Sequence, residues 1–389
     1  MVLLCIMERT KLLGSCFSFD REIQLPGRPV VSIPFDFTRD LGGEEVTRLQ
    51  ESIQPAPFCP DADTAIAENQ HFRYVVFAPA GTLLYDRAII LLHGLNERSW
   101  QKYLTWAEDL VMTCGVPVIL FPIAFHMNRT PTAWYTPRGL LPWLNRRKQE
   151  IKNLCNASFF NLALSSRLSV SPLRFYTSGL ESAFNLIQLI NDMKQGRHPL
   201  FTESVQVDFF AYSIGALLAQ VVLMADPYDN LSYSRLFTFC GGSVFERMNG
   251  NSRDIMDQEA YQKIREFYLG EFHAFHQGQD GSQAGVSDKL TNAFRLMIHS
   301  ADPEGRRRMF FAGAKDRIRM ISTRQDIVIP TVGLHEATGQ ELAGYMTREL
   351  DFPYEYTHQM PFPENGKIHE TELITSFRSI FDQAAGFLA

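Results

Sequence analysis

The sequence predicts an α/β fold, a mostly parallel central sheet with helices packed on both of its faces. Three observations lead there. Ala88–Leu92 is a continuous apolar run with the texture of a strand buried on both faces, Val116–Phe121 gives a second buried strand, and Val205–Ala211 and Leu236–Cys240 read as further short strands. Helical stretches alternate with them, the order that a parallel sheet with right-handed crossovers requires. The composition, 45% apolar and 21% charged over 389 residues, suits a chain that buries a large core and excludes a disordered or fibrous protein.

Each element follows in turn. From Val30 to about Ala80 the chain is strand-like in pieces, notably Phe72–Phe77, with Pro55, Pro57 and Pro60 breaking any helix, so an antiparallel β entry is expected. Ala88–Leu92 ends at His93-Gly94. Ser99 caps a helix running to about Thr113, whose apolar positions Tyr103, Leu104, Ala107, Leu110 and Val111 keep helical spacing, and Cys114-Gly115 ends it. Residues 122–176 are rich in proline and read as an insertion over the sheet edge. Ser178 to about Gln195 is an amphipathic helix, Val205–Ala211 a strand, Ile214–Ala225 a helix, and Leu236–Cys240 another strand. A second insertion spans about 243–316, with helical text at Asp257–Phe272 and Asp288–His299 around the turn His276–Gly285. Ile318–Ser322 resumes the strands, Gly333–Glu349 is helical, Phe352–Thr357 is expected as a strand, and Glu370–Phe387 as a closing helix. The division predicted is an N-terminal extension over 1–71 and one domain over 72–389 that carries both insertions.

Charge and cysteine usage narrow the classes of function. Lys and Arg number 37 against 43 Asp and Glu, a net charge of −6, which argues against a nucleic-acid binder. The longest apolar stretches, such as Val116–Ile123, fall short of the ~20 residues of a membrane span. Met1–Met7 is apolar but short and lacks a basic residue before it, so a cytoplasmic location is expected rather than secretion. The six cysteines form no C-x-x-C pair, as suits free thiols.

The segment richest in chemistry is Val207–Gln220. An apolar strand runs into Ala211-Tyr212-Ser213-Ile214-Gly215 and directly into a helix, so Ser213 occupies a tight strand-to-helix turn. Such a turn needs small residues two before and two after the serine, and Ala211 and Gly215 meet that demand. The turn exposes the hydroxyl and aims the helix N-terminus at an oxygen that becomes negative. The bland alternative is a buried serine capping a helix.

In these residues the sequence resembles the α/β-hydrolase superfamily, from about Phe72 to the C-terminus outside the two insertions. Ala211 stands where the commonest pattern, G-x-S-x-G, has glycine. The resemblance implies that Ser213 is the nucleophile of a triad in the chain order serine, acid, histidine. His93-Gly94-Leu95-Asn96 matches the superfamily's oxyanion loop, which implies that the N–H groups of Leu95 and Ile214 form the oxyanion hole, with His93 bracing the loop. Met320–Pro330 resembles the strand, acid and proline segment of the family, which makes Asp326 the acid; Asp316 and Glu246 are alternatives, each read as a solvated charge. His358 follows the expected last strand and is the implied base. His369, beside the final helix, is the alternative, and His335 is assigned to a helix face.

The implied activity is hydrolysis of a carboxylic ester of a small acyl substrate through an acyl-enzyme, without metal or organic cofactor. A serine peptidase, thioesterase or acyltransferase shares that chemistry, and a catalytically silent binding protein is the reading from another class. Weaker signals are His273-x-x-His276, which lacks further ligands at metal spacing, and the basic cluster Arg146-Arg147-Lys148, read as a solvated face. Phe125–Pro131 and Trp134-Tyr135 could line a pocket or merely pack the insertion. Nothing in the sequence fixes an oligomeric state.

Overall fold

The computed structural model describes residues 6–272, 284–363 and 366–389. Nine strands make one sheet: β1 (Ile23–Gln24), β2 (Val30–Thr38), β3 (His71–Pro79), β4 (Tyr85–Leu92), β5 (Val118–Leu120), β6 (Phe201–Tyr212), β7 (Leu236–Phe239), β8 (Ile318–Thr323) and β9 (Thr347–Leu350). Their spatial order is β1-β2-β3-β5-β4-β6-β7-β8-β9. The first three pair antiparallel, β3 is also antiparallel to β5, and every pair from β5 to β9 is parallel. With β1 set aside, this is the strand order and polarity of the α/β-hydrolase fold.

Side-chain alternation divides the core into two layers. Ala88, Ile90 and Leu92 of β4, with Val207, Phe209 and Ala211 of β6, face one apolar cluster. Ile89 and Leu91, with Phe210 and Tyr212, face the other. The helices divide accordingly. In chain order they are α1 (Ile6–Cys16), α2 (Gly43–Glu51), α3 (Ala67–Gln70), α4 (Gln101–Cys114), α5 (Pro137–Glu150), α6 (Leu162–Val170), α7 (Leu173–Lys194), α8 (Ile214–Ala225), α9 (Gln258–Glu266), α10 (Val286–Leu296), α11 (Arg306–Gly313), α12 (Thr331–Thr338), α13 (Gln340–Met346) and α14 (Glu370–Leu388). The helices α1, α4 and α14 supply the second cluster, and α7, α8 and α10 the first. A strand covered on both faces is apolar on both, which is why Ala88–Leu92 of β4 reads as an unbroken run and why β6 turns apolar over Phe209–Tyr212.

Several elements depart from the sequence reading, among them the helix expected to be capped by Ser99, which starts at Gln101 with Trp100 at its N-cap. The helix expected over Gly333–Glu349 is two short helices parted at Gly339, whose φ of +87° ends α12, and the chain then enters β9. The strand expected over Phe352–Thr357 is absent, since residues 351–357 have no regular structure. The alternation there is real but has another cause. Phe352 and Tyr356 are buried in an aromatic cluster with Phe362 and Phe377, and Pro353 has no N–H for a ladder. The true last strand, Thr-Arg-Glu-Leu, is a half-exposed edge and so carries no apolar pattern. In addition, α7 starts at Leu173, five residues before the expected Ser178, with Pro172 fixing its first turn.

One polar network lies inside the first layer. Arg129 and Glu181, both fully buried, form an ion pair at 3.3 Å. Arg129 also donates to Asn69 Oδ1 and O and to Asn185 Oδ1, while Asn69 and Gln50 donate to Glu181. This joins α2, α3, α7 and the segment 123–129, with every charge satisfied, as burial demands. Among the described residues no helix is long and apolar enough to cross a membrane.

Candidate active site

The parallel strands end together, and the polar side chains gather where they end. In register, Leu92 lies beside Ala211, Tyr212 beside Phe239, and Phe239 beside Ile321. The residues just past those ends are Gly94, Ser213, Cys240 and Asp326. That is the rim where open α/β sheets bind ligands.

Ser213 has φ 57° and ψ −124°, a conformation costly for any residue with a Cβ and here the N-cap of α8. The turn persists because its surroundings leave no room for another. A Cβ on Gly215 would lie 2.8 Å from the His93 carbonyl oxygen, and one on Gly241 would lie 2.6 Å from the Ala216 Cβ. The need for Gly215 was visible in the sequence. The need for Gly241 was not, because its contact with Ser213 is made across β6 and β7. A signal existed in Gly241-Gly242, the glycine pair that ends β7.

Ser213 Oγ lies 2.7 Å from His358 Nε2, and His358 Nδ1 lies 2.7 Å from Asp326 Oδ2. All three side chains are buried. The other carboxylate oxygen of Asp326 accepts from the N–H groups of Val328 and Ile329, each at 2.9 Å. An ionised Asp326 so held accepts from Nδ1–H, which leaves the Nε2 lone pair for the serine proton. Tyr212 stacks on the His358 ring, with centroids 5.4 Å apart, and donates to the His358 carbonyl.

The loop after β4 is fixed just as firmly. His93 is fully buried, bonded through Nδ1 to Gly94 O at 2.8 Å, and accepts through Nε2 from Ile123 N at 2.9 Å. Burial holds its pKa well below the ordinary value, so the ring is neutral and braces the loop. Gly94 N donates to Tyr103 Oη, Tyr103 donates to Glu97, Glu97 pairs with Lys102, and Lys102 donates to the carbonyl of Gln359. The loop carrying Gly94 and Leu95 is thereby tied to the residue next to His358. Leu95 N donates to no partner among the described residues, and the first amides of α8, Ile214 among them, lack helix acceptors by construction.

Two apolar lobes open beside Ser213. One is lined by Ser213 itself with Phe245, Met248, Ile255, Met256 and Val328. The other, the larger, is lined by Leu180, Ala183, Leu217, Val221 and Phe294, with His126 and Ser178 as polar members. Leu95, Ile214 and Phe175 belong to both walls. The lobes therefore meet beside the residues expected to offer oxyanion amides.

The remaining candidates lie elsewhere. Asp316 is exposed and accepts from Tyr345 Oη, Glu246 accepts from Ser300 N, and His369 is exposed at the start of α14. His335 lies on α12. His273 and His276 lie outside the described residues. Arg146 and Arg147 divide between a surface pair with Glu150 and a pair with buried Asp257. Missed by sequence reasoning was Cys240, whose thiol is buried against Thr323 at 3.6 Å. Cys240, Asp326 and His358 hold one donor atom each within 4.8 Å of one another, the one set among the described residues with metal-ligand chemistry. Two of its members are already bonded to each other. Burial pushes the Cys240 thiol well above its usual range, so it stays protonated.

A family model described as a family of unknown function, DUF6051, matches residues 47–389. The chain belongs to DUF6051. No curated protein matches this DUF6051 chain in sequence. Solved structures similar to it include a cold-adapted esterase from an Arctic intertidal metagenomic library, at 11% identity over 95% of this chain and 98% of the other, with a TM-score of 0.39. A carboxyl esterase from the mycorrhizal fungus Tuber melanosporum matches at 10% identity over 97% of both chains, TM-score 0.40. A hyperthermophilic esterase from the archaeon Pyrobaculum calidifontis matches at 10% identity over 98% of this chain and 88% of the other, TM-score 0.41. For DUF6051 the fold is read from strand order and polarity.

Proposed function

We propose that the protein is a serine hydrolase that cleaves a carboxylic ester of a small, largely apolar substrate. The observation that carries this reading is the unbroken chain of two 2.7 Å contacts from the Ser213 hydroxyl through His358 to Asp326. A serine hydroxyl is a weak nucleophile near pH 7 and needs a base within hydrogen-bond reach, itself oriented by a third group. In this reading Ser213 Oγ attacks the ester carbonyl while its proton passes to His358 Nε2. The negative oxygen is received by the N–H groups of Leu95 and Ile214. Collapse expels the alcohol, which takes the proton from His358 and leaves an acyl-serine. Water, deprotonated by His358, then attacks that acyl group and releases the acid and free Ser213. Asp326 stays ionised and balances the charge on His358.

The apolar lobes support an ester with hydrocarbon on both sides of the carbonyl. Phe175 of the first insertion and Met248, Met256 and Phe294 of the second lie in their walls, which supports reading 122–176 and 243–316 as a cap on the 72–389 domain. The test is labelling by a fluorophosphonate probe, followed by hydrolysis of p-nitrophenyl esters of graded acyl length. Labelling of the wild type and none of folded Ser213→Ala is expected. A wild type as unreactive as that variant ends the enzyme reading.

A further inference from the structure

Among the described residues, one side-chain polar atom in the wall of the larger lobe is buried without a partner. His126 lines the larger lobe and is 5% exposed. Its Nδ1 bonds to the Ala124 carbonyl at 2.9 Å, so that nitrogen carries the proton and Nε2 presents a lone pair. Nε2 is buried without a hydrogen bond, the only such side-chain atom in that wall among the described residues. The wall's two hydroxyls are spent, Tyr176 Oη on Thr291 and Ser178 Oγ on the Phe175 carbonyl.

The backbone around His126 is strained and pinned. Phe125 and Met127, on either side of it, have φ of 60° and 52°. Phe125 N donates to Asn69, Ala124 N to Ser182, and Met127 N to the Glu97 carbonyl. Backbone strain held by so many bonds is found where a side chain must be presented in one orientation. Burial, with the charges of Arg167 and Arg129 nearby, lowers the His126 pKa to about 4. The ring is therefore a neutral acceptor at working pH.

We infer that the larger lobe receives a substrate arm bearing a hydroxyl or N–H group, which donates to His126 Nε2. This rests on the hydrolase reading and narrows its substrate class to hydroxylated or amidated apolar esters. An orphaned acceptor in an apolar pocket discriminates strongly, because an arm without a donor leaves it desolvated and unpaired.

The experiment compares ethyl hexanoate with its 3-, 4-, 5- and 6-hydroxy derivatives, and hexyl acetate with the corresponding hydroxyhexyl acetates, by pH-stat. At least one hydroxylated ester is expected to exceed its parent in kcat/KM by about tenfold or more. His126→Phe removes that preference, lowering kcat/KM for the hydroxylated ester far more than for its parent, and His126→Gln, which keeps an acceptor, restores part of it. Preference for the unsubstituted esters throughout, or a hydroxyl preference that survives His126→Phe, overturns the inference. A binding arm is independent of turnover. In ¹⁵N-labelled Ser213→Ala, the Nε2 resonance of His126 moves upfield with the preferred hydroxylated ester and stays put with its parent. Equal response to both overturns the assignment of Nε2. If no ester is hydrolysed and no probe labels Ser213, the hydrolase reading has failed, and the resonance still decides whether Nε2 takes a donor.

Discussion

Gly241 approaches Ser213 so closely that a methyl group on its Cα would stand 2.8 Å from the Ser213 carbonyl oxygen and 3.0 Å from its nitrogen. Neither backbone atom can turn aside, so the clash must move the turn itself. Displacement of a reacting group by about 1 Å costs on the order of a hundredfold in rate. Gly241→Ala is expected to lower kcat/KM for p-nitrophenyl butyrate by about that factor with a smaller loss of melting temperature. Activity within threefold of wild type would show that the turn has slack.

The strain at Ser213 can be weighed separately. Its backbone conformation costs on the order of 1–3 kcal/mol for a residue with a Cβ, while glycine adopts it freely at ~0.5–1 kcal/mol of added chain entropy. Ser213→Gly should therefore be more stable than Ser213→Ala by about 1 kcal/mol in urea unfolding, with both inactive. Equal stabilities would mean that the surrounding contacts relax around alanine.

Asp326→Asn tests the orienting group. The asparagine carbonyl can still accept from Val328 and Ile329, so the loop should hold. Its amide would face His358 Nδ1 with hydrogens, favouring the tautomer whose Nε2 is protonated and cannot take the serine proton. A fall in kcat of about a thousandfold or more is expected, with a melting point within a few degrees of wild type. Retained esterase activity would remove Asp326 from the chemistry.

Acid should destabilise the fold well above the carboxylate range. Burial lowers the pKa of His93 far below its ordinary value and those of His126 and His198 to about 4. Unfolded imidazoles take a proton near pH 6.5 and the folded ones do not, so the unfolded state binds more protons in that interval. Stability is complete above about pH 6.5 and falls as pH drops towards 4, by up to about 1.4 kcal/mol per pH unit for each ring. Urea midpoints at pH 7.5, 6.0 and 5.0 should decline, and His198→Phe should flatten the decline. Midpoints unchanged between pH 7.5 and 5.0 would mean that these rings accept protons in place.

The sequence was most readable where burial on two faces left it no choice. The runs at β4, β6 and β7 and the small residues around Ser213 express local demands of backbone and packing. The end of the chain was harder. Phe352, Tyr354 and Tyr356 alternate because they feed an aromatic cluster, not because they pair in a sheet, and the edge strand β9 is too polar to announce itself. His358 nevertheless lies against Ser213, since its reach depends on the loop after β9 and on its tie to Tyr212. Gly241, Cys240 and His126 gave at most a weak local signal, the Gly241-Gly242 pair and the aromatic-rich Phe125–Pro131 segment, because each matters through a neighbour far away in sequence.

The pair Arg129 and Glu181 also governs how this region comes apart. Releasing α7 alone would carry Glu181 away and strand the Arg129 charge in a dry interior, a penalty of several kcal/mol. Partial opening is thus the least favourable path. The shelf that carries His126 should stay shut until the whole layer gives way at once, leaving the lobe beside it little freedom to adapt to an arm of the wrong shape.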